Sequence, residues 1–154
     1  MIKLLQLFTT HNPKKRFALE CQLMLHYSQK GSKFLRKRFQ RRLYYIYGCE
    51  ISHTAIIDSS VEFVHPIGVI IGSRAIVHKG CKIYQEVTLG SQFLGDGSMP
   101  TILENCYVGA GAKVIGGITI GKNSIIGANA IVTKSAPANS IVIGANIIKK
   151  RSDL

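Results

Sequence analysis

From Ile71 to Val132 an aliphatic residue returns every six positions. The series runs Ile71, Val77, Ile83 and Leu89, then Ile102, Val108, Val114, Ile120, Ile126 and Val132. Four residues after each except Leu89 comes a compact one: Ala75, Cys81 and Val87, then Cys106, Ala112, Ile118, Ser124, Ala130 and Ala136. The same register extends back through Ile51, Ile57 and Phe63, with Ala55, Val61 and Ile67 at the compact positions. An α-helix would repeat near 3.6 and an ordinary strand at 2, and neither accommodates six. A six-residue period predicts a parallel β-helix, in which each hexad supplies one short strand and a turn. Its aliphatic side chain points inward and stacks on its copies in neighbouring coils. Glycine directly follows the aliphatic residue at Gly72, Gly90, Gly109, Gly121 and Gly127, where it is expected to supply the backbone freedom of the turn.

The register slips twice. After Leu89 it resumes only at Ile102, so seven extra residues must be extruded around Ser91–Thr101, a stretch containing Gly95, Gly97 and Pro100. Such a loop adds nothing to a repeating stack, which points to a site. The step from Phe63 to Ile71 spans eight residues instead of six and contains His65. A histidine at a bulged turn is a candidate general base, and equally a solvent-facing turn residue.

Ahead of the hexads the pattern turns helical. Asn12-Pro13 suits a helix start, Gly31-Ser32 a break and a new cap, and Gly48 a stop. Phe34, Leu35, Phe39, Leu43 and Ile46 recur near helical spacing. Charge separates this part from the rest. Residues 1–47 carry eleven Lys and Arg against the single acid Glu20, a net of +10, whereas residues 48–154 net +2. The basic segment has three readings: a solvated helical cap over the open end of the β-helix, a patch for anionic lipid or glycan, or a nucleic-acid surface. Arg36-Lys37-Arg38 and Arg41-Arg42 beside Tyr44, Tyr45 and Tyr47 could support the last, but no nucleic-acid-binding module accompanies them, so no nucleic-acid partner is expected.

The remaining features narrow the class. At 154 residues the chain is one domain's worth, and no run of 18 apolar residues suggests a membrane span. The apolar start, Met1 to Phe8, is too short for a secretion signal. Cys81 and Cys106 fall at compact inward positions and Cys21 and Cys49 lack metal-type spacing, which predicts free thiols and a reducing, cytoplasmic setting. His53, His65 and His78 cannot stack as one ligand column, so no metal is expected.

Three blocks carry a resemblance to hexapeptide-repeat acyltransferases, and within them to the serine acetyltransferase-like group. They are His65-Pro-Ile-Gly-Val-Ile-Ile-Gly72, then Tyr84-Gln-Glu-Val-Thr-Leu-Gly90 before the glycine-rich loop, then the pair Val108-Gly-Ala-Gly-Ala-Lys-Val-Ile115 and Ile126-Gly-Ala-Asn-Ala-Ile-Val132. The resemblance implies a left-handed parallel β-helix over residues 49–144, preceded by the basic helical segment 1–48 and followed by a tail at 145–154. It implies a homotrimer with sites between subunits and acetyl-CoA as acetyl donor. His65 would act as general base, with Glu50 orienting it or meeting the acceptor. Gly90, Ser91, Gly109, Ala110, Gly111 and Ala128 would border the donor, and Lys113, Lys122 and Lys134 are candidate phosphate partners.

The departures concern the acceptor. Serine acetyltransferases carry an aspartate before the catalytic histidine and an arginine–histidine pair before the loop proline. Val64, Ser98 and Met99 stand at those positions here. Losing these groups removes contacts that would hold a zwitterion. The short helical arm is more similar to acetyltransferases of capsule, exopolysaccharide and colanic-acid pathways. The expectation is therefore O-acetylation of a sugar hydroxyl in surface-polysaccharide assembly, in the cytoplasm or at the inner membrane face. Serine O-acetylation and a non-catalytic β-helix scaffold remain as alternatives.

Overall fold

The computed structural model describes residue 7, residues 9–93 and residues 97–150. The chain is mainly β: a left-handed parallel β-helix of hexapeptide repeats, with two described helices at its N-terminal end. Most of the apolar start Met1–Phe8, Gly95 of the loop and the last four residues lie outside the described residues.

Helix α1 (Pro13–Gln29) starts as the sequence predicts: the Asn12 side chain accepts from the Lys14 and Lys15 amides at 3.0 and 3.2 Å. Helix α2 (Lys33–Tyr47) ends at Gly48, which adopts the left-handed conformation (φ 62°) of a helix stop. The Phe17 ring packs edge-on against Tyr47 (5.0 Å between centroids) and against Phe63 of the first coil (4.9 Å). Ser28 Oγ lies 3.0 Å from His53 Nδ1, a second tie between the helical pair and the first coil. Between the helices, buried Glu20 meets Arg42 at 2.8 Å and Arg16 at 3.4 Å. The inward stripe of α2 is narrower than its spacing suggested. Phe39 and Leu43 are buried, whereas Phe34 and Ile46 point to solvent.

The first coil comprises β1 (Glu50–Ile51), β2 (Ile56–Ile57) and β3 (Glu62–Phe63), and the second β4 (Ile70–Ile71), β5 (Ile76–Val77) and β6 (Lys82–Ile83). The third has β7 (Thr88–Gly90), β8 (Thr101–Ile102) and β9 (Tyr107–Val108). The fourth has β10 (Lys113–Ile115), β11 (Thr119–Ile120) and β12 (Ile125–Ile126). Last come β13 (Ile131–Val132), β14 (Ser140–Ile143) and β15 (Ile147–Lys150). From β1 to β13 every third strand pairs in parallel, and β14 adds in parallel to β12, so the strands form three sheets, one per side of a triangular prism. The predicted register holds. Ile51, Ile71, Leu89, Val114 and Val132 stack in one column, and Ile57, Val77, Ile102 and Ile120 in a second. Phe63, Ile83, Val108, Ile126 and Val142 make the third.

Three expectations need correction. Ile67 is 65% exposed, and Val69 takes the inward place: the two extra residues after Phe63 delay the register, so it is the Val69 level that meets Val87. The glycines following the aliphatic positions are not turn formers. Left-handed backbone falls instead at residues such as Asn105, Asn123 and Asn139, whose side-chain amides hydrogen-bond up the corner at 3.4 and 3.3 Å. Gly109 answers coil spacing, since a methyl there would lie 2.8 Å from the Ala128 amide nitrogen and 2.9 Å from the Ile126 carbonyl oxygen. Finally, the segment expected as a tail from residue 145 turns back: Ile147–Lys150 pairs antiparallel with β14 and covers that sheet edge.

The four cysteines are free and buried. Burial pushes the Cys21 thiol up to about 12, as suits a packing residue rather than a nucleophile. No helix among the described residues is long and apolar enough to cross a membrane.

Candidate functional site

The bulge created by the second register slip carries the first candidate residue. Between Phe63 and Val69 the chain turns outward: the Ile67 amide donates to the His65 carbonyl at 2.8 Å, Gly68 is left-handed (φ 66°), and the Gly68 amide donates to the Tyr47 carbonyl at 3.4 Å. His65 is exposed at this corner. Its ring meets Tyr84 of the next coil edge-on, 6.1 Å between centroids at 65°. Tyr84 in turn lies 4.7 Å from Tyr107 of the third coil. The hydrogen bond between the two phenols, with some burial, raises the Tyr107 pKa above its ordinary 10. An aromatic ladder therefore climbs away from the histidine. Sequence reasoning missed Tyr84 and Tyr107 as site residues, although the six-residue register places a Tyr after Ile83 and another before Val108.

Register also aligns the small residues. Ile83, Val108 and Ile126 are partners across the sheet, so two residues further on Gln85, Ala110 and Ala128 share one corner of the prism. The Glu86 amide donates to the Ile67 carbonyl, so Ile67 takes that level in the first coil and His65 stands just before it, on the bulge. The Gly111 amide donates to the Gln85 carbonyl and the Asn129 amide to the Ala110 carbonyl, which keeps successive turns in step. Gln85 Oε1 is buried there without a hydrogen-bond partner among the described residues. Ala128 is exposed and Ala110 half-buried, so this corner presents backbone and methyl groups rather than long side chains. A slender acyl-carrying arm can approach such a surface closely. Gly109 is buried under the next coil, and Gly111 is left-handed (φ 70°) with Asn129 directly above it. Their role is coil geometry. A methyl at Gly90 would make only ordinary contacts, at 3.6 Å and beyond. Lys113 is committed elsewhere: its ammonium donates to the Glu86 carbonyl at 2.6 Å. Lys122 and Lys134 are exposed, and Ser91 is half-buried at the start of the loop.

Glu50 stands on the outer face of β1, level with Ile70 of the coil above. No hydrogen bond or ion pair joins Glu50 to His65 among the described residues. The carboxylate instead borders a cavity of about 380 Å³ shared with Lys37, Arg41, Tyr44 and Tyr45 of α2. Val64 continues β3 and its amide donates to the Ile83 carbonyl at 2.9 Å.

The extruded loop leaves another corner, between β7 and β8. Arg74 donates to the Gly97 carbonyl at 3.1 Å, and Ser98 lies over Gly117. Met99 turns inward, its side chain so close to Gly72 that a methyl there would sit 2.8 Å from Met99 Cε. Within one chain, then, the structure brings His65 together with Tyr84 and the Ala110–Ala128 corner, but not with Ser98 and Met99. Among the described residues no three His, Cys, Asp or Glu side chains are grouped to hold a metal ion.

Comparison with known proteins agrees with the fold. Residues 99–134 match the family model described as bacterial transferase hexapeptide (six repeats). The serine acetyltransferase of Mycobacterium tuberculosis is 39% identical over 117 residues, 75% of this chain and 51% of that protein. That of Synechococcus elongatus is 44% identical over 98 residues, 63% of this chain and 40% of that protein. Among solved structures, serine acetyltransferase from Neisseria gonorrhoeae superposes with a TM-score of 0.81 at 26% identity, covering 88% of this chain and 53% of that one. A Brucella abortus serine acetyltransferase in complex with coenzyme A gives 0.76 at 30% identity, covering 82% and 51%. The chain spans about half the length of these relatives. None of them carries the narrower resemblance to capsule or colanic-acid enzymes.

Proposed function

We propose that this chain is an acetyl-CoA-dependent O-acetyltransferase whose general base is His65. The observation that carries the reading is the exposed His65 on the bulge at the foot of the corner whose higher levels are Gln85, Ala110 and Ala128. One end of that corner supplies an imidazole open to solvent, and the other a small-residue track for the pantetheine arm. Acetyl-CoA supplies an acyl group already activated as a thioester, so no covalent enzyme intermediate is required. His65 takes the proton from the acceptor hydroxyl as that oxygen attacks the thioester carbonyl, and gives it to the CoA sulfur as the carbon–sulfur bond breaks and the thiol leaves; an imidazole suits both steps near neutral pH. Tyr84 holds the ring from its edge and limits its rotation. Glu50, on the neighbouring outer face, meets the acceptor. Ser91 and Gly90 border the donor at the root of the loop, with Lys134 within reach of its phosphates, whereas Lys113 is occupied by its bond to Glu86.

His65 and the loop residues Ser98 and Met99 sit at different corners of the prism. A site that uses both requires a second copy, which supports a trimer with the site between subunits. Residues 49–144 would form the catalytic body and residues 1–48 its basic cap, in a cytoplasmic enzyme.

The relatives named above favour L-serine as acceptor over the sugar expected from the sequence. A sugar hydroxyl is the second reading, favoured by Val64, Ser98 and Met99, which bring no charge to hold either end of an amino acid. The deciding experiment follows thiol release from acetyl-CoA with L-serine and with a panel of hexoses, sialic acids and polysaccharide fragments. Saturable turnover of serine establishes the first reading, and turnover of a sugar with serine inert establishes the second. No release with any acceptor, in a protein that still binds acetyl-CoA, would leave the non-catalytic scaffold.

A further inference from the structure

We propose that the outward face of α2 docks the protein on the surface of an anionic phospholipid membrane. The helix carries six Lys and Arg and no acid. Two of the six are engaged, Arg42 by Glu20 at 2.8 Å and Arg36 by Gln40 at 3.2 Å. Lys33, Lys37, Arg38 and Arg41 are exposed. The arrangement of the exposed residues matters more than their number. Phe39 and Leu43 point into the protein, and on the opposite side Phe34, Arg38, Arg41 and Tyr45 follow one another at steps of four, three and four, which is a single stripe along a helix. The stripe therefore reads aromatic, basic, basic, aromatic. Phe34 is 77% exposed and Tyr45 79%, the two most exposed large apolar side chains described in the chain.

Two cavities follow the stripe. One of about 390 Å³ is lined by Phe34, Lys37, Arg38 and Arg41, and it adjoins the cavity beside Tyr44 and Tyr45 through the shared Lys37 and Arg41. Cationic hollows flanked by rings match a bilayer surface: guanidinium and ammonium groups meet phosphate headgroups while the rings settle at the boundary of the acyl chains. Charge argues against a second copy as the occupant, because residues 1–47 carry a net +10 and two such faces repel. Nucleic acid is the weaker match, since the described arm offers one short helix rather than a groove that tracks a backbone.

The test is co-sedimentation of the full chain with vesicles of phosphatidylcholine alone and of phosphatidylcholine with phosphatidylserine. At 0.05 M salt, binding is expected to the anionic vesicles only. It should weaken steeply by 0.3 M salt as screening shortens the reach of the exposed cations. Replacing Lys37, Arg38 and Arg41 with glutamine should lower affinity by about fivefold per cation, on the order of a hundredfold in all. Phe34→Ala with Tyr45→Ala should weaken binding severalfold while leaving its salt dependence unchanged. Equal binding to both vesicle types, or none to either, overturns the proposal. So does tighter binding to single-stranded RNA or heparin at matched salt, which would assign the face to nucleic acid or glycan. If the glutamine substitutions instead change the oligomeric state, the face lies between copies and the membrane reading falls. Affinity for acetyl-CoA measured in parallel should be unaffected by either set, because the donor track at Ala110 and Ala128 is placed on the coils, so this outcome is separable from that of the catalytic reading.

Discussion

The coils and the helical pair of this protein are stabilised in opposite ways. In the coils each buried aliphatic residue has a like neighbour one coil above and one below, so Ile83 packs between Phe63 and Val108 and Val108 between Ile83 and Ile126. Every contact is a copy of the next. In the helices nothing repeats: the pair is fixed by Phe17 against Tyr47 and Phe63, by Ser28 against His53, and by Glu20 beneath Arg42. A repeating stack spreads stability along its length and tolerates a residue that leaves the register, provided the next coil recovers it. A one-off cluster has no such reserve. This difference explains why both register slips, and with them the candidate site residues, are found in the coils.

The sharpest way to break that account is to separate chemistry from stacking. His65 sits outside all three columns, so His65→Ala should leave thermal unfolding unchanged while acetyl transfer falls by about two to four orders of magnitude. A variant that keeps most of its kcat on the cognate acceptor would remove His65 from the mechanism. One that loses both fold and activity would show that the bulge is part of the stack.

Next in size is a direct attack on coil spacing. Gly109 has no room for a side chain beneath Ala128. Gly109→Val should therefore cost about 3 kcal/mol, the upper end of overpacking penalties, because backbone rather than a flexible side chain must move. Urea unfolding measures it. A neutral result would mean that neighbouring coils separate easily, against the idea of a shared stack.

In the helical pair the corresponding test is Glu20. Its carboxylate is fully buried, whereas the Arg42 side chain is 31% exposed and can turn to water once freed. Glu20→Ala should cost about 1–3 kcal/mol, below the ~3–5 kcal/mol of a pair buried on both sides. Replacing both partners, Glu20→Leu with Arg42→Met, should recover most of that loss. If the double variant is no better than the single, the ion pair is essential to the cap and not interchangeable with apolar packing.

These regions were unequally legible in the sequence. The columns follow directly from the six-residue period, because burial in a coil depends only on position within the hexad. Where two residues were added after Phe63, the period alone put Ile67 inside; which residue is squeezed out depends on the Pro66–Gly68 turn, and Val69 is the one buried. Among the helical residues, spacing could not tell that Phe34 and Ile46 face away from the core. The face a helix buries is set by what it packs against, and that information lies in the first coil. Glu20, the sole acid of the basic segment, was visible only as a count; its buried partnership with Arg42 spans 22 residues. In the candidate site the alanine corner was readable through the register, and His65 through the slip in it. The Tyr84 contact was not, because ring orientation depends on side-chain rotamers. The separation of Ser98 and Met99 from His65 is likewise a matter of corners that a linear pattern does not display.

The smallest expected effect concerns how the stack holds His65, the proposed general base. Tyr84 touches His65 with its ring and Tyr107 with its phenol, so two substitutions divide the roles. Tyr84→Leu removes the ring, and an aromatic contact worth about 0.5–1.5 kcal/mol corresponds to a fall in kcat of roughly 2- to 12-fold, with the KM for acetyl-CoA unchanged. Tyr84→Phe keeps the ring and should stay near the parent rate. It does remove the phenol that raises the Tyr107 pKa, so in a spectrophotometric titration Tyr107 should ionise at lower pH than in the parent. The sign is fixed by linkage: a phenol whose pKa is raised by folding contributes its stability below the ordinary 10 and loses it as pH climbs through the raised value. The parent should accordingly lose stability in that alkaline window more steeply than Tyr84→Phe. Should Tyr84→Phe slow transfer as much as Tyr84→Leu, the phenol rather than the ring serves the histidine, and the ladder from His65 to Tyr107 would be a polar relay instead of a packing contact.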